Sequence, residues 1–360
     1  VGIVAHSLGG EELWRREFDD RSLPFGTGSS PVLWQENVYI LRDTPAGSAL
    51  LCLDADSGAE RWVADRDATR PSFSTPYLWH RDEGTEVVVA GSGTLNAYDA
   101  NSGEPLWTVT GMPVFVCPSP VAHGDTLVFG AWATAHVDGA ERTRSAFGDG
   151  VELTEAESTD ASAFIKRFDE DGNGKVTRDE LPESRIHGAF RFFDSDRSGA
   201  LEQSEIRGFF NAKQSPGRNV MAAVRGGGRG DITDSHVAWE TTRHLPYVAS
   251  PVIHDGRVFC LKKGGLLTTW DLETGDLIRL TRLPVGGEYY ATPIVVGNKL
   301  IVAAERGSVI VMSTDDKPEV LAQNDLGGAI LATPAVVASS GPRGGVDRRR
   351  LRRHGPGPGC

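Results

Sequence analysis

The sequence predicts a mainly β chain, a β-propeller of four-stranded blades with a small α-helical insertion, and three observations carry that expectation. A Pro-anchored phrase recurs at a near-constant period, a Trp-terminated turn phrase follows it at a fixed offset, and one oversized step between copies contains two acidic dodecapeptides. A repeat of roughly 40 to 45 residues built from four short strands is the period of a propeller blade. A solenoid is the alternative reading of such a period.

The elements follow in order. "AHSLGGEELW", ending at Trp14, is a degraded copy of the turn phrase. The Pro-anchored phrase then runs "SSPVLWQENVYIL" from Ser29, "STPYLWHRDEGTEVVVAG" from Ser74, "PSPVAHGDTLVFGA" from Pro118, "ASPVIHDGRVFCL" from Ala249, "ATPIVVGNKLIVAA" from Ala291 and "ATPAVVAS" from Ala332. Its prolines, Pro31, Pro76, Pro120, Pro251, Pro293 and Pro334, are spaced by 45, 44, 131, 42 and 41 residues. The turn phrase is "LCLDADSGAERW" to Trp62, "NAYDANSGEPLW" to Trp107 and "TTWDLETGDLI" to Ile278. Apolar, β-branched runs such as "VVVA" and "LIVAA" read as strands, and the "DG", "GN" and "SG" pairs between them supply positive φ for tight turns. In each turn phrase the Asp accepts backbone N–H bonds, and the Trp four residues past the Gly is large enough to bridge neighbouring sheets.

The long step exceeds one period by about 88 residues, which places an insertion in the third complete blade. Recognisable blade sequence stops after "LVFGA" near Ala131 and resumes at "HVAWETT", where Trp239 takes the place of Trp62 and Trp107. An inter-strand turn tolerates added chain when the ends of that chain lie close together. The expected organisation is propeller blades over 1–135, the inserted pair of loops over 150–212, further blades over 220–338, and a disordered or aberrant basic tail over 339–360. The chain starts inside a strand-like phrase and without Met, so it reads as a piece of a longer protein of seven or eight blades, with any signal peptide upstream.

The insertion holds the chemistry. From Asp169 the residues DEDGNGKVTRDE place Asp169, Asp171 and Asn173 at loop positions 1, 3 and 5, Gly174 at 6, Lys175 at 7 and Glu180 at 12. From Asp194 the residues DSDRSGALEQSE place Asp194, Asp196, Ser198, Gly199, Ala200 and Glu205 at the same positions. An EF-hand needs this spacing: alternating oxygens converge on one ion, Gly allows the sharp turn, position 7 offers its carbonyl, and the final Glu binds through both oxygens. The expected cofactor is therefore calcium at two sites, with Lys175 and Ala200 contributing backbone oxygens only. Ser198 is a weaker ligand than Asp or Asn, and Glu202 at position 9 offers the second site another carboxylate, so unequal affinities are expected. Phe164, Phe168, Phe190 and Phe193 lie on helix faces flanking the loops, and Val176 and Leu201 are placed to pair across a short β-bridge. The insertion from 149 to 210 contains no Met, so the Met-rich groove of an opening sensor is not expected.

The SSP/ATP and xDxxTGxxxW phrases resemble the pyrroloquinoline-quinone-type β-propeller repeat family, the group that includes quinoprotein dehydrogenases and an outer-membrane assembly lipoprotein. "GGGRGDITDSHVAWE" and the blades after it look like planctomycete-type members, some of which also carry EF-hand pairs. The resemblance implies an exported or cell-envelope propeller. It carries over structural positions only, Asp54, Gly58, Trp62, Asp99, Gly103, Trp107, Trp239, Asp271 and Gly275. The quinoprotein enzymes use a vicinal Cys pair against their cofactor, whereas Cys52, Cys117, Cys260 and Cys360 are far apart in this sequence. A pyrroloquinoline quinone cofactor is accordingly not expected, and no catalytic residue is assigned.

Composition narrows the partners. A net charge of -12 disfavours nucleic acid and favours hard cations. No run of about 18 apolar residues occurs, so no membrane-spanning helix is expected. The isolated Cys residues read as small buried apolar groups on strands. "RGD" at 229–231 is read as turn punctuation before a strand, "RRRLRR" at 348–353 as part of the aberrant tail, and the nine His lack metal-ligand spacing. The leading expectation is a calcium-binding, non-catalytic scaffold of the periplasm or cell envelope, or a secreted one, whose propeller faces meet protein partners. The alternatives are a quinone-dependent dehydrogenase and a ligand-sensing propeller domain.

Overall fold

A computed structural model of the chain describes residues 2–18, 28–44, 48–66, 72–91, 93–132, 151–188, 190–194, 197–210 and 217–336. Among the described residues five blades of four antiparallel strands follow one another, and each begins at a Pro-anchored phrase. Blade 1 contains strands Val32–Trp34, Asn37–Arg42, Ser48–Asp54 and Glu60–Arg66. Blade 2 contains Tyr77–Arg81, Gly84–Gly91, Thr94–Asp99 and Pro105–Val109. Blade 3 contains Val121–His123, Thr126–Ala131, Val220–Arg225 and Val237–Thr241. Blade 4 contains Val252–His254, Arg257–Lys262, Leu266–Asp271 and Leu277–Arg282, and blade 5 contains Ile294–Val296, Lys299–Ala303, Ser308–Ser313 and Val320–Asp325. A hairpin of Gly2–His6 and Glu12–Glu17 precedes them.

The second strands of blades 2, 3 and 4 are buried on both faces, which explains why they read as unbroken apolar runs. In blade 2, Val87 and Val89 pack with Tyr39, Leu41 and Cys52 of blade 1. Their alternates Val88 and Ala90 pack with Leu127 and Phe129 of blade 3. Val128 and Met221 then meet Val258 and Cys260 of blade 4, and Phe259 and Leu261 meet Leu300 and Val302 of blade 5. The side-chain period of two thus writes a chain of interfaces, blade to blade. Cys52 and Cys260 are buried strand residues, as read from the sequence.

The turn phrase has one geometry in three blades. The Asp54 carboxylate accepts the amides of Asp56 at 3.2 Å and Ser57 at 2.8 Å. Asp99 accepts those of Asn101 at 2.9 Å and Ser102 at 2.8 Å, and Asp271 those of Glu273 at 3.0 Å and Thr274 at 2.8 Å. Each turn ends at a glycine with positive φ: 70° at Gly58, 76° at Gly103 and 74° at Gly275. The Trp of the preceding unit lies flat on that glycine. A Cβ would sit 2.6 Å from the Trp14 ring at Gly58, 2.5 Å from Trp62 at Gly103 and 2.5 Å from Trp239 at Gly275. The indole N–H of Trp14 donates to the Ala55 carbonyl at 2.8 Å, that of Trp62 to Ala100 at 3.3 Å, and that of Trp239 to Leu272 at 2.8 Å.

Glycine is therefore needed twice at these positions, for the turn and for the indole. Gly103→Ala is expected to cost about 2–4 kcal/mol, the sum of a left-handed alanine and an overpacked contact. Gly124 has a φ of 55° and open space around it. Gly124→Ala should lose only the backbone part, about 1–2 kcal/mol. Urea unfolding of the two variants checks the difference, and equal losses would remove the indole from the account.

A second device links the first strands. The Ser or Thr before each Pro donates its backbone N–H to the hydroxyl of its counterpart in the next blade. Ser30 bonds Thr75 at 3.1 Å, Thr75 bonds Ser119 at 3.0 Å, Ser119 bonds Ser250 at 2.9 Å, Ser250 bonds Thr292 at 3.0 Å, and Thr292 bonds Thr333 at 3.1 Å. The proline after each hydroxyl residue has no N–H to satisfy, so the chain can turn directly into the first strand.

In blade 3 the sheet resumes at Val220, at the start of the expected blade range 220–338 and ahead of the recognisable phrase "HVAWETT": Val220–Arg225 pairs along its whole length with Thr126–Ala131, from Ala131↔Val220 to Thr126↔Arg225. "VMAAVR" lacks the turn phrase, so nothing in the repeat marks it. The usual Asp-Gly turn after it is replaced by 226–236, in which Gly230–Asp231 runs parallel to Trp107–Thr108 of blade 2. Asp231 accepts the Thr233 amide at 3.0 Å and its hydroxyl at 2.6 Å, which gives the RGD tripeptide a structural occupation. The basic tail expected over 339–360 lies outside the described residues.

One buried polar cluster was not visible in the repeat. Arg66, ending the last strand of blade 1, donates to Asp43 from Nε at 2.9 Å and from an Nη at 3.2 Å. Its other Nη donates to the Tyr98 hydroxyl at 3.1 Å and the Asn96 amide oxygen at 3.3 Å in blade 2. The side chains of Arg66 and Asp43 are 2% and 0% exposed.

Candidate metal centre

Between Ala131 and Val220 the chain leaves blade 3 through the turn that joins its second and third strands. The described part of this excursion builds two helix–loop–helix units. Thr154 and Glu157 form a reciprocal cap at the start of helix Glu155–Thr159: the Thr154 amide donates to Glu157 at 2.8 Å and the Glu157 amide to the Thr154 hydroxyl at 3.2 Å. Asp160 caps helix Ala161–Phe168, accepting the Ser162 amide at 3.0 Å. Phe164 and Phe168 meet with ring centroids 4.8 Å apart and planes tilted by 55°, and they bury with Val176, Leu181, Ile186, Phe190, Leu201 and Ile206. This small core fixes both loops. The expected bridge forms across it, Val176↔Leu201 and Thr177↔Ala200.

In the first loop the carboxylates of Asp169, Asp171 and Glu180 converge, with oxygens within 4.8 Å of one another. Asp169 accepts the amides of Gly172 at 2.8 Å, Asn173 at 3.1 Å and Gly174 at 2.8 Å. The Asn173 side-chain oxygen accepts the Lys175 amide at 2.8 Å, and its amide nitrogen donates to Asp171 at 2.8 Å. Glu180 folds back over the loop: Oε1 accepts the Glu170 amide at 2.9 Å, and Oε2 accepts the Thr177 amide at 2.6 Å and hydroxyl at 2.7 Å. These bonds, from Thr177 above all, hold the Glu180 carboxyl below its ordinary pKa, so it is anionic at neutral pH.

The second loop repeats the first. Gly199 donates to Asp194 at 3.0 Å as Gly174 does to Asp169, and Glu202 donates to Glu205 at 2.9 Å as Thr177 does to Glu180. The Ala200 amide meets the Ser198 hydroxyl at 3.4 Å in the place of the Lys175–Asn173 bond. Positive φ recurs at loop positions 4 and 6, with Gly172 at 75° and Gly174 at 81° matched by Arg197 at 59° and Gly199 at 87°. Asp194 is 7% exposed, and its Oδ1 is buried without a hydrogen-bond partner among the described residues. The Ser198 hydroxyl donates to the Ala200 carbonyl at 2.9 Å. Asp196 lies outside the described residues.

Two residues go elsewhere than the loop pattern suggests. Lys175 Nζ reaches Glu202 in the second loop at 2.6 Å, so the extra carboxylate of that loop faces a lysine of the first. Spacing alone could not show this, because it depends on the register of the bridge.

The family model described as outer membrane protein assembly factor BamB matches residues 2–157 and 228–320, more than half of the chain. The chain belongs to the BamB family. The matched segments of this BamB-family chain leave out 158–227, which contain both acidic loops. The crystal structure of BamB from Moraxella catarrhalis has the same fold, with a TM-score of 0.54 at 12% identity over 93% of this chain and 73% of that one. Hsv2 from Kluyveromyces lactis aligns at a TM-score of 0.41 and 10% identity over 87% of this chain and 68% of its own. No curated protein matches the sequence. No helix among the described residues is long and apolar enough to cross a membrane.

Proposed function

We propose that this chain is a calcium-binding, non-catalytic propeller scaffold of the cell envelope, whose faces engage protein partners. The observation that carries the calcium part is the equivalence of the two loops, in which three hydrogen bonds and two left-handed backbone positions recur at the same places on either side of one bridge. Asp169, Asp171, Asn173, the Lys175 carbonyl and Glu180 would hold one ion. Asp194, Asp196, Ser198, the Ala200 carbonyl and Glu205 would hold the other, and the unpartnered buried oxygen of Asp194 suits a cation there.

The scaffold part rests on the family, whose model is described as an assembly factor for outer membrane proteins. Assembly factors act by holding partners, and the two-sided burial of the blades leaves turns and loop faces for that task. The helical module is inserted between the second and third strands of blade 3, which still pair along their whole length.

Calcium titration of chelator-treated protein by isothermal calorimetry tests the reading. About two ions should bind, with magnesium far weaker because it demands near-octahedral geometry and gives up water reluctantly. A calcium isotherm without binding heat, together with an unchanged melting temperature in excess calcium, would overturn it.

A further inference from the structure

The two position-9 side chains behave differently. Thr177 turns toward its own loop, where its amide and hydroxyl both donate to Glu180 at 2.6 and 2.7 Å. Glu202 keeps the matching backbone bond, its amide donating to Glu205 at 2.9 Å, but its carboxylate leaves the second loop and meets Lys175 Nζ at 2.6 Å. The bridge explains the meeting: Lys175 precedes Val176, Glu202 follows Leu201, and Val176 and Leu201 are directly paired. Both side chains are partly open to water, at 45% and 42%. The second loop meanwhile contains a buried carboxylate oxygen, Asp194 Oδ1, with no hydrogen-bond partner among the described residues, although Oδ2 of the same group accepts the Gly199 amide at 3.0 Å. The loop from which Glu202 is drawn is thus the loop with an unmet need for positive charge.

We propose that Lys175, a residue of the first loop, sets the calcium affinity of the second by holding Glu202 away from it. Lys175 is then a positioning residue: its own carbonyl serves the first ion, and its ammonium group keeps the second loop one carboxylate short. The second site is the weaker of the two for this reason as well as for Ser198. The inference rests on the calcium reading above and goes beyond it, because it assigns the inequality to a named pair that spans the bridge.

A double-substitution cycle on the whole protein tests the pair, with Lys175→Met, Lys175→Arg, Glu202→Gln and Lys175→Met/Glu202→Gln titrated with calcium alone. Lys175→Met should tighten the weaker binding step about three- to fivefold, the range an exposed ion pair can supply. Lys175→Arg should keep the wild-type value, since it preserves the contact. In the Glu202→Gln background the effect of Lys175→Met on the weaker step should vanish. An equal tightening with and without Glu202 would mean that the lysine acts only as a distant like charge, and would overturn the proposal. So would an unchanged weaker step in Lys175→Met. If the wild-type protein binds no calcium, the functional reading and this inference fall together; if it binds two ions and only the cycle fails, the functional reading stands alone.

Discussion

Replacing Glu180 by Gln should remove one of two bound calcium ions, and Glu205→Gln should remove the other. Glu180 closes its loop from both sides, with one oxygen on the Glu170 amide and the other on Thr177, and Gln keeps that outline while losing the charge and one acceptor. A hard dication bound through both oxygens of this group cannot be held comparably by a neutral amide. At about 100 times its Kd, calcium would add about 2.7 kcal/mol to the folded state at each site. Calorimetric stoichiometry and melting with calcium or chelator read both quantities. Two ions retained in both variants would reject the site assignment. The pH dependence has a definite sign. Because the Glu180 pKa is lowered on folding, its hydrogen bonds stabilise the loop above the ordinary Glu range, and that stabilisation disappears as pH falls through the folded-state value.

Asp43→Ala should cost about 3–5 kcal/mol, because it strands a buried guanidinium. The Arg66 side chain is 2% exposed, and its two bonds to Asp43 at 2.9 and 3.2 Å form a fork that no other described carboxylate is placed to replace. Tyr98 and Asn96 would still accept from the guanidinium, but neither carries charge. Guanidinium chloride unfolding measures the loss. The double variant Asp43→Leu/Arg66→Met should recover much of it, since apolar residues of similar volume commonly replace a buried ion pair at little cost. A loss under 1 kcal/mol in Asp43→Ala would show that water reaches Arg66.

What could be read in the sequence was whatever chemistry restricts by residue type. Gly103 must be glycine both for its backbone angle and for the Trp62 ring, and Asp99 must accept two amides, so the phrase containing them survives in recognisable form. The acidic loops were legible for the same reason, because Asp169 must accept three amides and Gly174 must take a left-handed backbone angle. Val220–Arg225 lay at the start of the expected blade range but carried no repeat phrase, because a strand buried on both faces needs only apolar residues, and many sequences satisfy that. The Arg66–Asp43 fork and the Lys175–Glu202 pair were missed because each depends on which strands become neighbours. The Ser and Thr before the prolines were quoted as part of a repeat, yet their hydroxyls matter only once two blades stand side by side.

The doorway of the helical module also has a meaning for how such a protein came to exist. Ala131 and Val220 face each other on adjacent strands, so their Cα atoms are only about 5 Å apart. A passenger that enters and departs through so narrow a gap asks nothing of the ring's geometry. A two-residue hairpin could close the same gap, so removing the passenger needs a single splice in one blade.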